Sequence, residues 1–133
     1  MEIDNPAAKA GLEAAFAEYE RALCANEVEA LNRLFLEAPT TLRYGSRGEN
    51  QYGYVEIARF RRDSSPVALD RVLARTVVTT YGPDFGMAST LYYRANAPGK
   101  VGRQMQTWVR TVDGWRIVGA HVSLVDGPDR MMP

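Results

Sequence analysis

The order of periodicities along the chain predicts an α+β domain. The first sixty or so residues carry apolar side chains at helical spacing, and the stretch after Leu69 is rich in Val and Thr and punctuated by turn signals. No repeat, linker or low-complexity segment lies between the two halves. Helices first and antiparallel strands after suit helices packed on one face of a curved sheet. One domain over residues 1–125 is expected. Residues 126–133 are expected to form a loose tail, because Gly and Pro there break any periodicity.

Asp4 or Asn5 can cap a helix whose first turn accepts Pro6. Leu12, Phe16, Tyr19 and Leu23, with Ala8, Ala15 and Ala22 beside them, predict an amphipathic helix over residues 6–25. Asn26 with Glu29 reads as a second N-terminal cap, and Leu31, Leu34 and Phe35 as the face of a short second helix that Pro39 ends. Thr40 to Tyr44 predicts a short strand, and Gly45-Ser46-Arg47-Gly48 a loop; Glu49-Asn50 after it reads as a turn or cap. Ile57, Phe60 and Arg61 mark a third helix over residues 54–62, which Ser64-Ser65-Pro66 breaks. Four strands follow, over residues 69–81, 85–94, 101–112 and 115–125. Gly82-Pro83-Asp84 and Asn96-Ala97-Pro98-Gly99 turn the chain between them, and Asp113-Gly114 is a strong hairpin signal.

Composition narrows the function classes. A chain of 133 residues buries roughly 68% of the surface its unfolded form exposes, so no disulfide or metal staple is required. Sixteen basic residues balance sixteen acidic ones, which argues against nucleic acid or an anionic membrane as a partner. Cys24 and His121 are the sole residues of their types, which excludes a disulfide framework and argues against a protein-only zinc site. No metal or other cofactor is expected. The N-terminus has no basic region followed by an apolar run, so neither a signal peptide nor a membrane span is expected, and the expected location is cytoplasmic.

The last hairpin carries the most chemistry. With Asp113 and Gly114 as a two-residue turn, Trp108 pairs with Gly119, Gln106 with His121 and Gln104 with Ser123. One face then holds Gln104, Gln106, Trp108, His121 and Ser123, and the other Met105, Thr107, Val109, Val118, Ala120 and Val122. The polar face is either simply wet or the lining of a pocket whose amides, indole and imidazole suit a planar amide or carboxylate; a bulge would exchange the faces. Tyr19 lies on the apolar stripe of the first helix, where a core tyrosine is the ordinary reading. Arg43, between Leu42 and Tyr44, reads as a salt-bridged surface residue, and Arg75 as half-buried or edge-exposed. No phosphate loop, nucleophile elbow or histidine-pair metal motif is present.

The stretches DNPA, TLRYG, ENQYGY, GRQMQTWVR and GWRIVGAHVSLV together resemble the AtzH-like family, with its HpxZ-like (oxalurate catabolism) members, over about Ile3 to Leu124. That family lies within the SnoaL-like, nuclear transport factor 2-like superfamily. The resemblance implies a cystatin-like cone of three N-terminal helices on a curved mixed or antiparallel sheet, usually a homodimer through the sheets. It implies a decarboxylating amidohydrolase that converts dicarboxyurea to allophanate, or acts on a related oxalurate- or oxamate-type compound in nitrogen catabolism, beside a partner amidase. A non-catalytic accessory role to that amidase is the alternative. The family's proposed catalytic tyrosine and arginine fall on Tyr19 and Arg43. Gln104, Gln106, Trp108, His121 and Arg75 are the candidates for holding the substrate. The Ser46-Arg47-Gly48 loop, about a residue longer than the family pattern, and Met105, where a small polar residue is common, are departures that bear on substrate choice.

Overall fold

The computed structural model describes residues 1–64 and 69–127. Helix α1 (Pro6–Ala25) starts as expected: the Asn5 side chain accepts from the Ala8 N–H, and Pro6 occupies the first turn. Its stripe of Ala8, Leu12, Phe16, Tyr19 and Ala22 is buried. Asn26 ends α1 rather than starting the next helix. It adopts a left-handed conformation (φ 54°), and its N–H returns to carbonyls of the last turn. Glu27 is the residue that precedes α2 (Val28–Arg33), and it makes no side-chain cap. Phe35 leaves α2 to bridge Ile117, which ties the helical layer to the sheet.

The sheet has six strands: β1 (Leu42–Tyr44), β2 (Asn50–Tyr52), β3 (Arg71–Tyr81), β4 (Phe85–Arg94), β5 (Lys100–Thr111) and β6 (Gly114–Asp126). Their order is β2-β1-β6-β5-β4-β3, antiparallel throughout except that β1 runs parallel to β6. The sequence reading missed β2, because a three-residue strand leaves no alternation to read; Asn50, expected in a turn or cap, is its first residue. Helix α3 (Tyr54–Asp63) follows directly, entered through Gly53 at φ 91°, a conformation that only glycine adopts freely. Of the expected breaker, Ser64 is non-helical, and Ser65 and Pro66 lie outside the described residues. β6 continues to Asp126, so the expected tail starts later, and residues 128–133 also lie outside the described residues.

Packing explains the layers. Leu12, Leu31, Phe35, Ile57, Trp108 and Ile117 form a core between the helices and the concave face of the sheet. Each fully buried aliphatic or aromatic side chain here contributes roughly 1.5–3 kcal/mol. At the far edge, Ile3 bridges Tyr81, and Asp4 exchanges hydrogen bonds with Thr80, covering part of β3. Among the described residues, no helix is long and apolar enough to cross a membrane.

The β5–β6 register corrects the expected faces. Thr111 pairs with Gly114, and Trp108 with Ile117, so the turn sits one residue earlier than expected. That shift alone preserves which residues share a face. A bulge between Thr107 and Trp108 then takes up Val118 as an extra residue. Beyond it Gln106 pairs with Ala120, Met105 with His121 and Arg103 with Ser123. Gln104, Gln106 and Trp108 point inward with Ala120, whereas His121 and Ser123 point outward beside Met105 and Arg103.

Candidate functional site

Polar side chains from both the helical layer and the sheet reach the interior. Tyr19 comes from the C-terminal half of α1 and Arg61 from the last turn of α3, one turn past the fully buried Ile57. Arg43 projects from β1, whose backbone register sets it between Gln51 of β2 and Ala120 of β6. Arg71 opens β3, and Gln104, Gln106 and Trp108 alternate along the inner face of β5.

Each arginine is held differently. Arg71 donates through Nε (2.9 Å) and Nη2 (2.5 Å) to the two oxygens of Glu20, and Nη2 also reaches Gln104 Oε1 at 3.2 Å. Its guanidinium carbon lies 4.5 Å from the Tyr92 ring centroid. Arg43 donates to Gln51 Oε1 at 3.1 Å, has Glu49 at 3.7 Å, and faces Phe60 at 5.7 Å. Arg61 rests over Phe35 at 5.4 Å, reaches the Tyr19 hydroxyl with Nη2 at a long 3.4 Å, and keeps a buried Nε without an acceptor.

These charges set the Tyr19 phenol. Burial pushes its pKa up, but the guanidiniums of Arg61, Arg43 and Arg71, in that order, outweigh burial and hold it below the ordinary tyrosine value. Burial lowers the Arg43 pKa, and Tyr19 and Glu49 partly oppose that. For Arg71, burial works against the charge, and the Glu20 carboxylate more than offsets it.

The two β5 amides are oriented by their own hydrogen bonds. Gln104 Oε1 accepts from Arg71, and Gln106 Oε1 accepts from the Trp108 indole at 3.1 Å. Both Nε2 groups are therefore donors, and both are buried with no acceptor, in residues that are 2% and 1% exposed. Three unanswered donors, Arg61 Nε and the two amide Nε2 groups, thus sit inside one fold. Each of these donors is suited to an acceptor atom. Among the described residues, no group of three or more His, Cys, Asp or Glu side chains is placed to hold a metal ion.

Beside Gln51 and Phe60, which flank Arg43, a cleft of about 430 Å³ is lined by these two with Glu56, Arg59, Asp63 and Ser64. A larger groove of about 480 Å³ lies against α2 and the β5–β6 turn, between Glu29, Arg33, Glu37, Tyr54 and Arg116; neither Tyr19 nor any of the three arginines reaches it.

Of the expected site residues, Tyr19, Arg43, Gln104, Gln106 and Trp108 face the interior. His121 does not: it is exposed on the convex face, with the Tyr44 ring 5.7 Å away. Arg75 is also exposed, in a left-handed conformation (φ 53°) at a bulge between Ala74 and Val77 that turns it away from Tyr19. Sequence reasoning placed Arg61 on the third helix without assigning it to the site, and passed over Arg71 and Glu20. Arg61 was legible as the residue four beyond Ile57 on the buried face of α3. Arg71 and Glu20 are 51 residues apart and carried no such signal.

The chain and its fold match known proteins. The AtzH-like family model covers residues 1–128. A cystatin-like fold protein from Burkholderia xenovorans LB400 is 49% identical over 96% of this chain and 99% of its own, with a TM-score of 0.90. A DUF3225-family protein of unknown function from Pectobacterium atrosepticum SCRI1043 is 48% identical over 93% and 95%, with a TM-score of 0.89. An NTF2-like protein of unknown function from Pseudomonas putida KT2440, 14% identical over 88% and 86% with a TM-score of 0.74, shares the fold alone. No curated protein matches the chain. A family match over nearly the whole sequence, on a cystatin-like cone of helices over a mixed six-stranded sheet, establishes that this chain belongs to the AtzH-like family.

Proposed function

We propose that this protein is a decarboxylating amidohydrolase for a small N-carboxylated urea, dicarboxyurea to allophanate, or for a related oxalurate- or oxamate-type compound in nitrogen catabolism. The observation that carries the reading is the Tyr19 hydroxyl, buried and held below its ordinary pKa by three guanidiniums. A phenol in that state exchanges protons more readily near neutral pH than a free tyrosine does. The N-carboxyl group leaves when its C–N bond breaks, the bonding electrons stay on nitrogen, and nitrogen takes a proton. Tyr19 supplies that proton directly, or its phenolate takes one from the water that attacks the carboxyl carbon. The first path releases carbon dioxide and the second hydrogencarbonate. Arg43 steadies a carboxylate through its planar fork, and Gln104 and Gln106 donate to the urea carbonyl.

The test is carbon dioxide release from freshly generated dicarboxyurea, wild type against Tyr19→Phe at matched folding. Turnover in the wild type that drops at least about 100-fold in the variant supports the reading, in line with the usual contribution of a positioned acid or base. Unchanged turnover in Tyr19→Phe removes the tyrosine from the mechanism.

A contact surface for another chain is carried by a different observation. The convex face of the sheet exposes Val72, Val77, Phe85 and Met105, each about half exposed. An apolar face of that kind marks a contact with another chain. A second copy, paired sheet to sheet, is the occupant proposed here, and the amidase is the rival. Ligand binding without carbon dioxide release would favour the accessory role.

A further inference from the structure

The charges around Tyr19 are unequally answered. Glu20 closes Arg71 through two hydrogen bonds, and Glu49 and Gln51 engage Arg43. Arg61 has no carboxylate partner among the described residues. Its neighbours are the Phe35 ring, which leaves its N–H groups unused, and a hydroxyl at 3.4 Å. Its Nε is buried without an acceptor. Among the described residues no carboxylate pairs with this guanidinium, and an unanswered buried donor is costly to keep.

We infer that Arg61 is the principal anion anchor beside Tyr19, taking one carboxylate of the ligand on its unanswered N–H groups next to the Tyr19 hydroxyl. The inference rests on the reading that the ligand is carboxylated. Three features suit Arg61 to the role better than Arg43. Its planar donors match a carboxylate and are not already spent on one. Phe35 supports one face of the guanidinium, and the fully buried Ile57 one turn earlier fixes the helix that carries it, so little order is lost on binding. The same Nη2 that reaches Tyr19 would bring the bound carboxylate next to the phenol. Arg43, shared between Glu49 and Gln51, is then a secondary contact.

Calorimetric titration with malonate, a stable dicarboxylate, and malonamide, its neutral counterpart, tests this without turnover. Wild type should bind malonate and not malonamide. Arg61→Gln should weaken malonate by roughly tenfold or more, the scale of one lost charge-assisted contact, and Arg43→Gln by less. Arg61→Lys should recover part of the loss by restoring charge without the fork. Arg61→Met, which keeps the stem over Phe35, serves if Arg61→Gln does not fold. Malonate affinity unchanged in the Arg61 variants, or lost more in Arg43→Gln, overturns the inference and leaves the carboxylated-ligand reading standing. Wild type that binds neither probe, or both alike, overturns that reading and the inference with it.

Discussion

Tyr19 is where the physics of single residues is most informative. Its hydroxyl is held below the reference value near 10, so on raising pH the folded state loses this proton before the unfolded chain does. Between the folded value and about 10 the unfolded state binds more protons, and stability rises with pH across that window; below the folded value the term is absent. Tyr19→Phe should therefore lose that rise, read as a gap in Tm to wild type that widens from pH 7 to pH 10. Arg75 tests the opposite kind of residue. Its left-handed backbone costs a side chain that glycine does not have, so Arg75→Gly should gain about 0.5–1 kcal/mol in urea unfolding. An equal or lower midpoint would mean that Arg75 makes contacts worth more than its strain. Tyr19 and Arg43 were singled out by resemblance, not by spacing: a tyrosine on an apolar stripe and an arginine in a short strand read as ordinary residues until Arg61 and Arg71 are seen beside them.

At the scale of elements, helix starts were legible because they are local. Asn5 caps α1 through a contact three residues away, and Asn5→Ala should cost about 1 kcal/mol of unfolding free energy. α3 matters for a second reason, since its buried Ile57 sets the position of Arg61. Ile57→Ala should cost about 2–5 kcal/mol by urea denaturation, with ligand affinity falling alongside. A stability loss with unchanged affinity would show that α3 does not position Arg61. The β5–β6 hairpin was legible as a hairpin and misread in its faces. Its turn lies one residue earlier than Asp113-Gly114 suggested, which by itself moved nothing across the sheet. The bulge at Val118 did, and it reversed His121 and Ser123. A bulge inserts a single residue among apolar neighbours, and Ile117-Val118-Gly119-Ala120 offers no contrast to locate it.

For the whole molecule, the cone separates two surfaces. The concave face is filled by helices and the polar interior, and the convex face is left with exposed Val77, Phe85 and Met105. If a second copy covers it, wild type should elute as a dimer by size-exclusion chromatography with light scattering. Val77→Lys combined with Met105→Lys should then shift it to a monomer that keeps its circular dichroism. A monomeric wild type would assign that face to another partner.

Element order, the amphipathic α1 and the long strands could be read along the chain, because each depends on neighbours within a few residues; the charge balance is a sum over the chain and needs no fold. Which side of β6 faces the interior, and that Arg61, Arg71 and Glu20 join Tyr19 and Arg43, were decided only by tertiary structure. Register beyond a bulge and the meeting of side chains tens of residues apart depend on how the layers pack, and no local pattern encodes that packing.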